Sequence, residues 1–349
     1  MLMTLEIIWA ALTLMCGLVT FFSLLPGKGW VLRVCDFPRA QVLVLAIMLL
    51  GIEVLCFTLV EAQPGGEHAT RPALLVVLGL TIACQLWWAY RLTPLAKQEL
   101  PSALSDPHSR PDGPQGRRLR LIAANVDYEN PGREEAMHTI AEQDPDVIAL
   151  IEPDERWEPI IDPYKDAYPH IVKEIRELGR GLALLSRYPI LSHEVRYLVD
   201  DDRPSIWAQI ELPSGDPIRM VVTHPPPPGL PRRRGEGRHS SRKRDIELDL
   251  IAAEIRRERD QDWVLTGDFN DVGWSATTLR AKRQSGLLDP RVGRGSYSTF
   301  PAHWPLCRYP IDHVLVSPRF RLVRIDRLEP IGSDHLALIA EFRLKGDAG

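Results

Sequence analysis

Apolar and polar positions divide the chain at about residue 92. Before it lie three long apolar runs, Leu5 to Leu25, Ala40 to Val60 and Ala73 to Tyr90, with short polar joints between them. Each is about 18 to 21 residues, roughly 27 to 31 Å of helix, the thickness of a hydrocarbon core. Trp87, Trp88 and Tyr90 close the third run, as suits a membrane interface. Three such runs in succession predict three membrane spans rather than buried helices of a large soluble core. The first run has no Lys or Arg before it and no small-residue cleavage site, so a retained span is expected rather than a signal peptide.

Beyond residue 92 the period changes. Residues 93 to 118 are rich in Pro, Ser and charge with no apolar period, which predicts a flexible linker. From 119 to 344 short apolar runs recur, each ending in a polar cluster. "LRLIAANVDYEN" is a strand ending in Asn125 and Asp127. "DPDVIALIEPDERW" is one ending in Glu152. "GLALLSRYPI" ends in a Pro turn. "IWAQIEL" and "PIRMVVTH" form a hairpin about the 213–217 turn, the second strand ending in His224. "WVLTGDFN" ends in Asp268 and Asn270. "YPIDHVLVS" starts a strand with Asp312 and His313, and Asp334 and His335 precede the last strand. Helices fit between, over 133–143 and over 245–259, the latter with Ile246, Leu250, Ile251 and Ile255 on one face.

Composition adds less. A formal net charge of -4 and a pI near 6.2 give no general argument for nucleic-acid binding. Four of the cysteines, Cys16, Cys35, Cys56 and Cys84, lie in the apolar part and only Cys307 beyond it, so the soluble part has no disulfide framework. Lys28, Arg33 and Arg39 in the first joint, against Arg71 in the second and Arg91 and Lys97 after the third span, place the first joint and the soluble domain in the cytoplasm. Glu53, inside the second span, suits either a functional role or a hydrogen bond to a neighbouring helix.

Taken singly, each polar cluster reads as a turn or a solvated loop. Their recurrence at strand ends points instead to one sheet mouth. Carboxylates, amides and imidazoles gathered there suit a hard cation such as Mg²⁺, which takes one or two carboxylates plus water and a substrate phosphate. Glu152 and Asp334, with Asn125 or Asp127, supply that set, and no zinc signature competes with it.

The ordered set resembles the endonuclease/exonuclease/phosphatase superfamily. The matching pieces are "NV" at 125, "DPDVIALIE" at 144, "LLSRYPI" at 184, "THP" at 223, "GDFN" at 267, "IDHVLVS" at 311 and "GSDH" at 332. "SGLLDPRVGRG" with "TFP", and "DFPRAQ" after the first span, resemble its membrane-anchored bacterial branch. One departure is Ile151, where the family often has Gln before the metal-binding Glu. The resemblance implies a four-layer α/β sandwich of two packed, mostly antiparallel sheets flanked by helices, preceded here by a three-helix transmembrane region. It implies Glu152 as principal Mg²⁺ ligand (Mn²⁺ as substitute), supported by Asn125 and Asp334, with Asp127 a weaker metal candidate. His335 is implied as the catalytic histidine held by Asp312, Asp268 as the group that orients or deprotonates the attacking water, and Asn270 and His224 as phosphate binders.

The sequence is compatible with more than one substrate. The basic stretch 231–245 suits a nucleic-acid backbone, anionic headgroups or a solvated loop, and Arg244 is its best phosphate contact. The leading expectation is a membrane-anchored, Mg²⁺-dependent phosphodiesterase of nuclease type in the bacterial inner membrane. Its partners are the bilayer and a nucleic-acid or phospholipid phosphoester, and no protein partner is predictable. The alternatives are a phospholipid headgroup phosphodiesterase or phosphatase, and a non-catalytic membrane-bound sensor or scaffold.

Overall fold

The computed structural model describes residues 2–25, 27–60, 71–105, 115–227 and 240–346. The N-terminal part contains α1 (Leu2–Leu24), a short α2 (Trp30–Val34), α3 (Arg39–Val60) and α4 (Arg71–Tyr90). Among these, α1, α3 and α4 are long and apolar enough to cross a membrane. They pack through Cys16, Ala46 and Leu78, and Gly17 allows close approach, since a Cβ there would lie 2.7 Å from Val77. Polar ties accompany the packing: Gln85 donates to Thr20 at 2.8 Å, and the Arg39 guanidinium lies 4.7 Å from the centre of the Trp88 ring.

The strands after residue 117 form two sheets. They are β1 (Arg118–Asn125), β2 (Val147–Ile151), β3 (His170–Glu174), β4 (Leu182–Ser186), β5 (Ile190–Arg196), β6 (Ser205–Glu211), β7 (Pro217–Thr223), β8 (Trp263–Asp268), β9 (Asp312–Val316), β10 (Phe320–Arg327) and β11 (Leu338–Leu344). One sheet runs β10-β11-β1-β2-β4-β3 and the other β5-β6-β7-β8-β9. Each is mixed, with a single parallel pair, β1 with β2 and β7 with β8. The remaining pairs are antiparallel, including the expected β6–β7 hairpin.

Strand alternation builds the layers. Leu119, Leu121 and Ala123 of β1, and Val147, Ala149 and Ile151 of β2, enter the core between the sheets. Ile122, Ala124, Ile148 and Leu150 face outward and pack under α5 (Arg133–Glu142) and α6 (Glu158–Ile161). Val221, Trp263 and Leu265 do the same under α7 (Arg242–Arg257) and α8 (Ala276–Ser285). Central strands covered on both faces need apolar residues at every position. That is why β2 and β4, both interior to their sheet, are unbroken buried runs.

The expectation of a flexible linker over 93–118 does not hold where the structure describes it. Leu100 and Ala103 are buried. Leu322 donates to Pro101 O, Arg294 to Leu100 O, and Lys282 pairs with Glu99 at 2.7 Å. Two buried apolar side chains, a backbone bond and two side-chain ties outweigh the low apolar content that suggested a free tether. Residues 106–114 lie outside the described residues, as do 231–239 of the basic stretch.

The joint between α1 and α3 also lies against the sandwich. Gly29 bridges to Ser240, Ser241 N donates to Lys28 O at 2.9 Å, and the Trp274 indole donates to Asp36 O at 2.7 Å. Within the joint, Asp36 is buried between Arg33 (2.9 Å) and Arg39 (3.2 Å). Burial raises the Asp36 carboxyl to about 6 against the pull of the two guanidinium groups.

Candidate active site

Two parallel pairs place four strand ends side by side. β1 and β2 deliver Asn125 and, one residue on, Glu152. β7 and β8 deliver His224 and Asp268 from the other sheet. The antiparallel neighbour β9 begins at Asp312, paired with Asp268. The turn before β11 adds Asp334 and His335.

Local backbone makes these ends converge. Gly267 has φ 144°, and a Cβ there would sit 1.9 Å from Thr223 O, so only glycine lets β8 approach β7 this closely. Gly179 has φ 70°, and a Cβ there would lie 2.5 Å from Glu152 Oε2. Asp127, Glu152 and Asn270 are non-glycine residues in the left-handed region, with φ of 53°, 69° and 51°. Such conformations cost about 1–3 kcal/mol each and concentrate at functional sites.

The side chains meet across the two sheets. The Asn125 amide donates to Glu152 Oε1 at 3.1 Å and to Asp268 Oδ2 at 3.2 Å. His335 Nδ1 is 2.8 Å from Asp312 Oδ2, and its Nε2 is 3.7 Å from Asp268 Oδ2. His224 Nε2 lies 3.6 Å from both Glu152 and Asp268. The Asn270 backbone N–H donates to Asp268 at 2.8 Å, and its side chain to Pro225 O at 3.0 Å. Ser333 ties the His335 turn to β1 through Asn125 O at 2.7 Å.

The electrostatics follow from burial of like charges. Burial, and then the neighbouring Asp268, lift Glu152 to about 7. Burial and Asp312 lift Asp268 to about 7 against the pull of His335. Asp334 is raised as well, chiefly by burial. Burial alone would lower His335, but Asp312 and Asp268 outweigh it and hold it protonated, up to about 10. His224 goes the other way, lowered by burial and by Arg203 and His335. One imidazolium and one neutral imidazole thus face each other across a pair of carboxylates.

Ligand atoms of Glu152, His224 and Asp268 lie within 4.8 Å of one another, as do those of Asp268, Asp312 and His335. Beyond burial, and against the pull of His335, Asp268 and Asp334 raise the Glu152 carboxyl and Asp127 and Asp312 raise that of Asp334, a crowding of carboxylates that a hard divalent cation relieves. The residues therefore fit a divalent metal.

A cleft of about 650 Å³ opens over these groups, lined by Asp127, Glu152, His224, Asp268, Asn270, Asp334 and His335. Asn125 and Asp312 stand behind the lining residues and hold them. Arg244 does not meet the expectation of a phosphate contact. It is fully buried, donates to Asn270 O at 2.8 Å, and pairs with Asp245 and Asp271 at 3.3 Å. Its guanidinium is consumed in holding the Asn270 turn. Among the described residues, the arginines that line the cleft are Arg180 and Arg203, which sequence reasoning did not nominate. "DDRP" before β6 carries no distinctive signal for Arg203. His313, beside Asp312, is structural: it stacks on Phe269 at 4.3 Å and bonds to Asp271 O and Arg291.

Comparison with known proteins agrees with this geometry. No curated protein matches the chain. Among solved structures it is similar to an endonuclease/exonuclease/phosphatase from Beutenbergia cavernae, at TM-score 0.53 and 18% identity over 66% of this chain and 72% of that one. It is similar to D. rerio TDP2 solved with a single-strand DNA product, at 0.52 and 15% over 65% and 99%. It is also similar to a protein of the same family from Bacteroides vulgatus, at 0.52 and 17% over 65% and 99%. At these identities the likeness is one of fold. The model of the endonuclease/exonuclease/phosphatase family matches residues 122–335, from the second half of β1 through His335. That interval contains every strand end described above, and the chain belongs to the endonuclease/exonuclease/phosphatase family.

Proposed function

We propose that the protein is a membrane-anchored, Mg²⁺-dependent phosphodiesterase that cleaves by in-line attack of water. The observation that carries this reading is the placement of Glu152, Asp268 and His335 around one cleft, with Asn125 bridging the two carboxylates. Glu152 and Asn125 would hold the metal, with Asp334 beside them and Asp127 at the rim. When bound, Mg²⁺ would polarise the phosphate and stabilise the charge that develops on the leaving oxygen.

The remaining roles follow from proton inventory. Asp268, close to neutrality in its affinity for a proton, accepts one from the attacking water. His335, held protonated by Asp312, donates from Nε2 to a phosphate oxygen or the leaving oxygen. His224 and the Asn270 amide bind the non-bridging oxygens, and Arg203 and Arg180 add positive charge to the same wall.

Membrane anchorage is supported by three helices of sufficient length and apolarity. The first joint touches the catalytic domain, which favours both lying on one side of the bilayer with the N-terminus on the other. The basic residues of that joint favour the cytoplasmic side of a bacterial inner membrane. A nuclease-type substrate is favoured by the fold shared with D. rerio TDP2, which was solved with a DNA product. A phospholipid substrate is favoured by the walls of the cleft, described below.

The test is hydrolysis of bis-p-nitrophenyl phosphate by the purified full chain with Mg²⁺, Mn²⁺ or EDTA. Metal-dependent turnover should fall by roughly 10²- to 10⁴-fold in His335→Ala and be abolished by EDTA. Metal binding without turnover would replace this reading with that of a sensor.

A further inference from the structure

The catalytic cleft is not walled by the sandwich alone. Val34, Phe37 and Pro38, from the joint between α1 and α3, line it together with the catalytic groups. Arg39 follows at once and begins α3, a helix long enough to cross a bilayer. The wall of the cleft is therefore covalently continuous with a span, one residue from its start.

A second element meets it from the sandwich side. Residues 300–309 form a loop closed at its base by pairing of Phe300 with Tyr309. The base is fixed to the catalytic turn: the Phe300 ring lies 4.7 Å from the His335 ring, and Ala302 N donates to Asp334 O at 2.7 Å. The tip carries Trp304 and Leu306, which are 62% and 90% exposed. The tip also touches the first turn of α3, where Gln41 donates to Leu306 O at 2.9 Å. Between base and tip, Tyr309 packs edge-on against Phe37, with ring centres 5.4 Å apart.

These contacts make one apolar path from the start of α3 to the imidazole of His335. Its outer end presents a tryptophan and a leucine at the level where α3 begins, the depth at which indole rings sit in a bilayer interface. Its inner end is the cleft with its carboxylates, imidazoles and arginines. A ligand matching that gradient is charged at one end and apolar at the other. A nucleic acid has no such gradient, and its backbone would be pressed against an apolar wall and a bilayer surface.

We propose that the substrate is a membrane phospholipid, bound with its phosphodiester in the cleft and its acyl chains in the leaflet beside α3, Trp304 and Leu306. This rests on the phosphodiesterase reading above. The water oxygen bonds to phosphorus, one ester P–O bond breaks, and the released alcohol leaves with a proton donated by His335. The products are that alcohol and a phosphomonoester.

The experiment uses the full chain in nanodiscs of phosphatidylethanolamine and phosphatidylglycerol with Mg²⁺. Hydrolysis of the lipid is compared with that of soluble glycerophosphoethanolamine, bis-p-nitrophenyl phosphate and a single-stranded DNA oligonucleotide. Lipid should be turned over fastest. The ratio of lipid to bis-p-nitrophenyl phosphate turnover should fall roughly tenfold or more in Phe37→Ala and in the Trp304→Ser/Leu306→Ser double variant. The double variant changes only exposed side chains, so it keeps the test valid if Phe37→Ala does not fold. Equal turnover of lipid and soluble glycerophosphoethanolamine, an unchanged ratio in the double variant, or cleavage of DNA without lipid would overturn the lipid assignment and leave the phosphodiesterase standing. Failure to cleave any of the diesters, with metal bound, would overturn the phosphodiesterase reading itself.

Discussion

Replacing Glu152 with glutamine should stabilise the metal-free protein while abolishing its activity. Glutamine is nearly isosteric and keeps the oxygen that accepts from Asn125. What it removes is a charge that burial and Asp268 disfavour. Raising the carboxyl from 4.5 to about 7 means that keeping it ionised costs the folded, metal-free chain about 3 kcal/mol above pH 7. The sign follows from the direction of the shift. Below about 4.5 the group is neutral folded or unfolded and the cost vanishes. It grows between 4.5 and about 7 and is constant above that. At 2–4 °C per kcal/mol for a domain of this size, Glu152→Gln should melt roughly 6–12 °C above wild type at pH 8 in EDTA. The difference should disappear near pH 4. Adding Mg²⁺ should reverse the order, because wild type gains binding energy that the variant has lost. Differential scanning calorimetry in detergent reads all three conditions. A variant that melts below wild type in EDTA at pH 8, or keeps the full Mg²⁺-induced shift, would refute both the cause assigned to the raised pKa and the assignment of Glu152 as ligand.

Metal affinity should weaken as pH falls below about 7, because Glu152 and Asp268 take protons there. Isothermal titration should show up to about tenfold loss per pH unit for each proton displaced. Gly179→Ala should cut activity at least tenfold by forcing Glu152 aside, at a stability cost of about 1–2 kcal/mol for the left-handed backbone, read by kinetics and melting together. Arg244→Met should cost roughly 3–5 kcal/mol by stranding the buried Asp245 and Asp271 carboxylates, which chemical denaturation will measure. A fragment beginning at residue 117 should melt well below the full chain and expose hydrophobic surface to dye binding, because Leu100 and Ala103 no longer cover the sandwich.

The strand-end residues proposed to do the chemistry were legible because polar side chains cannot flank a buried strand cheaply. Asn125, Glu152, His224, Asp268, Asp312 and His335 all interrupt apolar runs, and their shared location could be inferred from that alone. The edge strands β3, β5 and β10 were not legible. His170–Glu174 and Ile190–Arg196 are half exposed and carry charge on their outer faces, so neither an apolar run nor a clean alternation marks them. Arg244 was misread for a related reason. A basic residue in a basic stretch looks free to meet a phosphate, and only the fold reveals Asp271 arriving from another loop to pair with it. Arg203 was passed over because its role depends on β7 ending beside it, where it donates to His224 O at 3.3 Å. The packing of Phe37 on Tyr309, 272 positions apart in sequence, leaves no local trace at all.

The site straddles two sheets, and this ties its chemistry to the core between them. Asn125 and Glu152 belong to one sheet, His224 and Asp268 to the other, and the bonds from Asn125 to Glu152 and Asp268 cross the seam. Their separation is set by Ala123 and Ile151 on one side and Val222 and Val264 on the other, all in the shared core. Three left-handed residues and a cluster of buried carboxylates oppose that arrangement. Packed cores resist small displacements, since even a methylene of added or lost volume is felt. The core can therefore hold like charges closer than they would rest in water, and a divalent cation entering the cleft would meet the proposed ligands already gathered. Substitutions that loosen Ala123 or Val222 should accordingly weaken metal binding before they unfold the chain.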